Sequence, residues 1–212
     1  MLKKLSVIAF GVFLIGTCAS SFGAQARKKA EKSIESMRKT REEIDKAKIQ
    51  KDKTMVALGQ LMGQSQTDLK KPFKKYTDEL KKLDKSAEKV RKLATDMRAK
   101  NQEFFKVWEK ELSNIQNPEL QQKAGERRSQ AIKQFEDLSP VFQSTRESFV
   151  SLMASLEDIR NYLSLDLSPT GIATISDMFK EAQTHNQAVD EGLAKVKQEM
   201  GEFAAEYSGG SS

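Results

Sequence analysis

His185 is the only histidine in this chain of 212 residues, and it limits the chemistry that the sequence could support. A metal site built from several histidines is excluded, and a nucleophile–His–Asp arrangement would need a serine folded against this one residue. The many Glu and Asp residues show no Glu-x-x-His spacing of the kind that holds two iron ions in helical bundles. Glycine-rich phosphate motifs of the forms GxxxxGK[ST] and GxGxxG are also absent from the sequence. The sequence therefore predicts no enzymatic activity and no cofactor.

A lysine-rich stretch is the second group of residues that could carry a function. It begins with Lys70, Lys71, Lys74 and Lys75 and continues to Lys85. Such a stretch could dock on anionic lipid head groups or on an acidic partner. It could also be a solvated helix face that pairs with an acidic helix elsewhere in the chain, and this second interpretation is favoured.

The charge of the chain is unevenly distributed along its length. The net charge of +6 divides into +10 for residues 27–116 and −5 for residues 166–212. If these segments pack together, they largely cancel each other's electrostatic field. This cancellation argues against nucleic acid as a partner.

The N-terminus has the features of a secretory leader. Lys3 and Lys4 precede an apolar run over residues 5–15, and small residues follow it. The run is shorter than the roughly 20 apolar residues that a membrane-spanning helix needs. Residues 1–26 are therefore predicted to be a signal peptide, and the protein is expected in the periplasm or cell envelope.

Cys18, the only cysteine, leaves three outcomes open for this leader. Residues 15–18, IGTC, resemble a bacterial lipobox, in which the cysteine is acylated and becomes the new N-terminus, although Thr17 fits that motif poorly. Cleavage by a general signal peptidase after Gly23 or Ala26 would instead remove Cys18, and an uncleaved anchor would retain it.

The clearest pattern in the sequence is a heptad seam, a row of residues separated alternately by four and three positions. The seam runs through Leu69, Phe73, Tyr76, Leu80, Leu83, Ala87, Val90, Ala94, Met97, Asn101, Phe104 and Trp108. Phe104 and Trp108 are therefore expected in the core, whereas Phe105 lies off the seam and is a candidate for a contact between chains. Asn117-Pro118-Glu119 predicts the start of the next helix, because asparagine caps helices and proline suits the first helical position.

Two further seams follow in the second half of the chain. They run through Phe135, Leu138, Phe142, Thr145, Phe149, Leu152, Leu156, Ile159 and Leu163, and then through Ile172, Ile175, Phe179, Ala182, Asn186, Val189, Leu193, Val196, Met200 and Phe203. Pro140 predicts a kink in the third helix, and Ser168-Pro169 predicts the start of the last one. Asn186 is predicted to fix helix register as a polar seam residue, and His185 beside it to have a structural role.

The first helix, from about Arg27 to Leu61, has the weakest pattern. Ile34, Met37, Ile44, Met55, Leu58 and Met62 fit a seam. Arg41, Lys48 and Lys51 fall on the same seam and interrupt it. The N-terminal part of this helix is therefore expected to project or fray.

These segments together predict an all-α fold. Short connections between long helices favour antiparallel neighbours, so residues 27–207 are predicted to form an elongated antiparallel bundle of about four long helices with coiled-coil packing. A forty-residue helix is about 60 Å long, which makes the bundle a rod. Residues 208–212 are predicted to be a flexible tail.

Several local motifs resemble those of one bacterial family. The motifs are Trp108-Glu109-Lys110-Glu111-Leu112, which reads W-E-x-E-L, then Asn117 with Leu120, Pro140-Val141 with Phe149, and Tyr162-Leu163 leading into Ile172 and Ile175. Over about residues 30 to 205 the chain is similar to the family called domain of unknown function 2959. The resemblance implies an exported, all-helical, coiled-coil-like envelope protein, often with a lipoprotein-like leader. It implies no known activity and therefore supplies no functional residues.

The sequence thus predicts a non-enzymatic structural or protein-interaction component of the bacterial cell envelope. Its expected partner is another protein, or a second copy of itself, bound through coiled-coil surfaces. The alternative is a helical-bundle binding module for an apolar ligand or lipid head groups. The two hypotheses differ in what lies between the helices, and a pocket beside Pro140 would favour the alternative.

Overall fold

The computed structural model describes residues 23–63 and 68–207. The helices are α1 (Ala24–Met62), α2 (Lys70–Leu112), α3 (Pro118–Leu165), α4 (Pro169–Thr174) and α5 (Ser176–Tyr207). No strand occurs in the described part of the chain, and the predicted all-α class is confirmed. The 43 residues of α2 give a rod about 65 Å long at 1.5 Å per residue.

The four long helices run alternately up and down. Lys29, near the start of α1, pairs with Glu103, near the end of α2. Arg98 on α2 donates to Ser139 on α3 at 3.0 Å, and α5 returns alongside both α3 and α1. The closest pairs are α1 with α2 and α3 with α5, and α2 lies diagonally opposite α5. The predicted antiparallel bundle is confirmed, with α4 as a short addition.

Two of the helix starts follow the predicted capping pattern. Asn117 Oδ1 accepts a hydrogen bond from the backbone N–H of Leu120 at 3.1 Å, and Ser168 Oγ accepts one from the N–H of Gly171 at 3.0 Å. The helix that begins at Pro169 ends after six residues, so the predicted last helix is divided into α4 and α5. The chain turns tightly before α4, because a Cβ on Gly171 would lie 2.2 Å from the backbone oxygen of Asp166.

The apolar residues form two cores, one toward each end of the rod. The distal core lies where α1 ends and α2 begins, and its fully buried members include Leu58, Leu61, Tyr76, Leu83, Leu152, Leu156, Ile159, Leu163 and Ile175. The proximal core lies at the opposite end, and its members include Met37, Ile44, Met97, Phe104, Trp108, Leu138, Val196, Met200 and Phe203. Leu193 packs against both cores. Between them, Ala87, Val90 and Ala94 on α2 are only half-buried.

The seams predicted for the second, third and last helices correspond to buried faces. Eight residues of these seams are at most 3% exposed: Tyr76, Leu80, Leu83, Met97, Leu152, Leu156, Val189 and Val196. Helix α3 continues through Pro140 without interruption, and the predicted kink stays a prediction. Phe149 is only partly buried, although it packs against the distal core.

The expectation that the start of α1 projects or frays is wrong. Ala26 and Met37 are fully buried, and Ser33 is 1% exposed. Ser33 donates a hydrogen bond to Asn101 Oδ1 on α2 at 2.7 Å. Small side chains such as Ser33 and Thr40 occupy seam positions because α1 and α2 pack closely, and a short polar group can be buried there once it has a hydrogen-bond partner.

Gly192 permits the close approach of α5 to α3. A Cβ at this position would lie 2.5 Å from Thr145 Oγ1 and 3.0 Å from Thr145 Cβ. At Gly201, on the same helix, a Cβ would meet only the guanidinium group of Arg41 at 3.4 Å. The two glycines therefore differ in the space beside them.

Gly192→Ala is expected to destabilise the protein by about 1–2 kcal/mol, because overpacking between α3 and α5 outweighs the gain in helix propensity. Gly201→Ala is the matched control, with the same gain in propensity and a flexible neighbour, and it should be neutral or stabilising. Urea unfolding followed by circular dichroism measures both free energies. Equal effects of the two substitutions on the free energy of unfolding would show that the close contact with Thr145 does not cause the loss of stability.

Candidate functional site

A charged cluster lies between α1 and α5, at the boundary of the two cores. Lys51 is 1% exposed, and its ammonium group donates to Asn186 Oδ1, to Asp190 Oδ2 at 3.0 Å and to Asp52 Oδ1 at 2.8 Å. Lys48 lies 2.8 Å from a carboxylate oxygen of Asp52 and 3.2 Å from Asp190 Oδ1. An ammonium group has three N–H donors, and each of those on Lys51 has an acceptor. These five residues are called the Lys51 cluster below.

Two members of the Lys51 cluster, Lys48 and Asp52, lie in surroundings that favour their charged forms. Partial burial would raise the pKa of Asp52, but hydrogen bonds from Lys48 and Lys51 outweigh that effect and hold the pKa below its ordinary value. The hydrogen bond to Asp52 raises the pKa of Lys48, against the opposing effect of desolvation. Both pKa values move away from neutrality, so neither group is poised to exchange a proton near pH 7. The arrangement therefore fits an ionic connection between α1 and α5.

Sequence reasoning located part of this cluster. Lys48 and Lys51 fall on the seam of the first helix as predicted, and Asn186 on the seam of the last, and the structure brings all three together. Asp190 was missed as a partner. Its position four residues after Asn186 places both side chains on one face of α5, and that spacing was the available signal.

His185 on α5 contacts a serine on α3. Its Nδ1 lies 3.3 Å from Ser155 Oγ, and Ser155 Oγ also lies 3.2 Å from the backbone oxygen of Ser151 in its own helix. The Ser155 hydroxyl thus has two neighbouring hydrogen-bond groups, and the contact with His185 connects α3 to α5.

Phe105, predicted to lie off the seam as a candidate for a contact between chains, lies in the core of its own chain. Phe105 is 7% exposed, and its ring centroid lies 5.4 Å from that of Phe104 and 6.0 Å from that of Phe135. Phe104 and Trp108 are buried, as predicted. A helix in a four-helix bundle contacts two neighbours, so its apolar face is wider than a two-stranded seam and includes the residue beside the seam. Phe105 therefore packs inside its own chain.

The lysine-rich stretch lies on the outer surface of α2. Lys70, Lys71, Lys74 and Lys75 are all exposed. Lys74 pairs with Asp78 of the same helix at 2.9 Å, and Lys75 donates to Gln60 of α1 at 3.0 Å. The expectation that this stretch pairs with the acidic last helix is wrong, because α2 and α5 are diagonal to each other. Among the described ion pairs, Asp190 is the acidic residue of α5 that pairs with lysines of another helix, and these lysines lie on α1 in the Lys51 cluster.

Two open depressions in the described part of the chain lie on the outer face of α2. One is lined by Glu88, Arg91, Lys92, Thr95, Asp96 and Ala99, and the other by Lys71, Lys74, Lys75, Asp78, Glu79 and Lys82. Neither lies beside Pro140. The pocket that would have favoured an apolar ligand between the helices is therefore not among them.

Residues 23–63 and 68–207 also contain neither a metal-binding cluster nor a membrane-spanning helix. No group of three or more His, Cys, Asp or Glu residues there could hold a metal ion. None of the described helices combines the length and apolar content needed to cross a bilayer. Cys18, for which lipidation was one of three outcomes left open, lies outside the described residues, as does most of the predicted leader.

Comparison with known proteins identifies the family. A search of curated proteins found no match, and a search of solved structures also found none. The family model described as "Protein of unknown function (DUF2959)" matches residues 19–206, nearly the whole chain. That range includes the W-E-x-E-L motif at Trp108, one of the motifs that carry the resemblance. The chain therefore belongs to this family of proteins of unknown function.

Proposed function

We propose that the protein is a non-enzymatic structural or interaction component of the bacterial cell envelope. It acts as an exported rod that binds a protein partner, or a second copy of itself, through its long outer faces. The leader-like residues 1–26 support export. Lipidation at Cys18 would attach the rod to a membrane.

The observation that carries this proposal is the opposite charge of the two helix layers. The layer of α1 and α2 belongs to residues 27–116, with a net charge of +10, and the layer of α3 to α5 belongs to residues 117–212, with a net charge of −6. The closest helix pairs lie within a layer, so the outer faces of the rod differ in sign. Faces of opposite sign guide orientation and partner choice in association.

Site-specific photo-crosslinking in cells tests the proposal. A photoreactive residue is placed at Lys85 on the outer surface of α2 or at Glu191 on that of α5, both of which are exposed. We expect the protein in the envelope fraction and a reproducible adduct that differs between the two positions. A cytosolic protein, or one without an adduct at either face, would contradict the proposal.

The double variant Ser155→Ala/His185→Ala separates a contact role from a hydrolytic one. We expect its envelope location and crosslinked adducts to match those of the wild-type protein, because neither side chain lies on an outer face used for contact. Its melting temperature serves as the control for folding. If cells with the double variant behaved like cells that lack the protein, while the melting temperature and the adducts were unchanged, the protein would be an enzyme instead.

A further inference from the structure

The strongest unassigned feature of the surface is a row of basic residues on the N-terminal half of α2. Residues 70–92 contain ten Lys or Arg and four Asp or Glu, a net charge of +6. The ten basic side chains are all exposed, and they are called the α2 basic stripe: Lys70, Lys71, Lys74, Lys75, Lys81, Lys82, Lys85, Lys89, Arg91 and Lys92. The row is about 33 Å long at 1.5 Å per residue.

The α2 basic stripe is only partly neutralised by carboxylates, and these carboxylates lie on α2 itself. In the described part of the chain its carboxylate partners are Asp78 at 2.9 Å, Glu79 at 2.7 Å and Glu88 at 3.9 Å, all on α2 itself. The four carboxylates of this half-helix leave an excess of six positive charges. The acidic α5 lies diagonally opposite and does not reach the stripe.

The chemistry of the stripe fits an extended anionic surface. Nine of its ten residues are lysines, which act as flexible point charges, whereas arginine is the residue suited to bidentate recognition of a single carboxylate. The depression at Lys71 and Lys82 is open, so the stripe does not enclose a particular side chain of a partner. The large exposed apolar residues of the described chain lie on other helices: Ile49, Val56, Leu120, Val150 and Leu165. Binding through the stripe would therefore be electrostatic and sensitive to salt.

From this arrangement we infer that the α2 basic stripe docks on the anionic phospholipid head groups of a bilayer. The rod then lies along the membrane with its basic layer toward the lipid, because the layer of residues 117–212, at −6, is repelled by the same surface. The inference rests on the proposed envelope location. To that location it adds the class of partner, anionic phospholipid, and the orientation of the rod along the membrane.

Vesicle co-sedimentation of the full chain tests the docking. The stripe variant carries Lys71→Gln, Lys75→Gln, Lys82→Gln and Lys85→Gln, and the matched control carries Lys106→Gln, Lys110→Gln, Lys123→Gln and Lys133→Gln. All eight lysines are exposed, and both variants lose four positive charges. The leader is common to every protein compared, so its contribution cancels. Unchanged melting temperatures confirm that both variants fold.

We expect the wild type and the control variant to bind phosphatidylglycerol-containing vesicles more strongly than pure phosphatidylcholine vesicles, with the difference falling as salt increases. The stripe variant should lose on the order of a hundred-fold in this preference. Equal losses of vesicle binding in both variants would show that only net charge matters. No loss in either variant would show that the stripe does not contribute to binding. Both outcomes overturn the inference.

Polyglutamate tests an acidic protein as the alternative partner. Stripe-dependent binding to polyglutamate without any preference for anionic vesicles would assign an acidic protein partner and would also overturn the inference. The adduct expected at Glu191 on α5 lies outside the stripe and does not depend on these results, so failure of the docking leaves the proposed function standing.

Discussion

Leu83→Asp is expected to lower the free energy of unfolding by more than about 4 kcal/mol. Leu83 is 1% exposed in the distal core, so the substitution removes buried apolar surface and places a carboxylate there without a partner. Losses of this size are exceptional for one substitution and arise from such core defects. Circular dichroism at increasing urea concentration measures the change, and the melting temperature should fall with it.

Lys85→Asp provides the control for Leu83→Asp. It adds the same side chain to the same helix two residues later, but at an exposed position. Surface substitutions of this kind usually change stability by no more than about 0.5 kcal/mol. If both variants lost the same stability, Leu83 would not lie in a packed core and the register of α2 would be wrong.

Lys51→Ala has the second largest expected effect, a loss of about 3 kcal/mol. The substitution removes the shared donor of the Lys51 cluster and leaves the acceptors of Asn186 and Asp190 beside a cavity. Breaking a buried ion pair by removing one member typically costs about 3–5 kcal/mol, and the partial exposure of Asp190 favours the lower end of that range. Chemical denaturation gives the number directly.

Two further variants define the role of the Lys51 cluster. Lys53→Ala is the matched control, because Lys53 is exposed on the same helix and should change stability little. The variant Lys51→Met/Asn186→Leu/Asp190→Leu replaces the polar groups together and should recover much of the lost stability. If Lys51→Ala were no more harmful than Lys53→Ala, the cluster would make no net contribution to folding.

The register of three helices could be predicted from sequence because their seams are mostly apolar. Leu80, Leu156 and Val196 mark buried faces that the spacing alone reveals. In α1 the seam includes Ser33 and Thr40, which look like surface residues in sequence but are buried where α1 approaches α2. A pattern based on hydrophobicity cannot detect such burial, because Ser33 is satisfied by Asn101 on another helix and Thr40 by the backbone oxygen of Ser36 in its own helix.

The candidate sites were harder to predict because they depend on which helices are neighbours. Spacing along α2 places Phe105 beside the seam, and only the position of α3 shows that its ring packs against Phe135. Charge counts suggested that the basic and acidic segments would meet. They do not meet at the α2 basic stripe, since α5 lies across the bundle from it. Asp190 meets Lys51 for the same topological reason, through the contact of α1 with α5.

The separation of the two cores has a mechanical consequence. Midway along α2, the half-buried Ala87, Val90 and Ala94 lie between the distal and proximal cores, and small or medium side chains there provide fewer dispersion contacts than the aromatic and leucine residues at either end. A rod built in this way resists deformation unevenly. The packed ends resist bending more than the middle, so curvature is expected to concentrate there and the rod can follow a curved support with both cores intact.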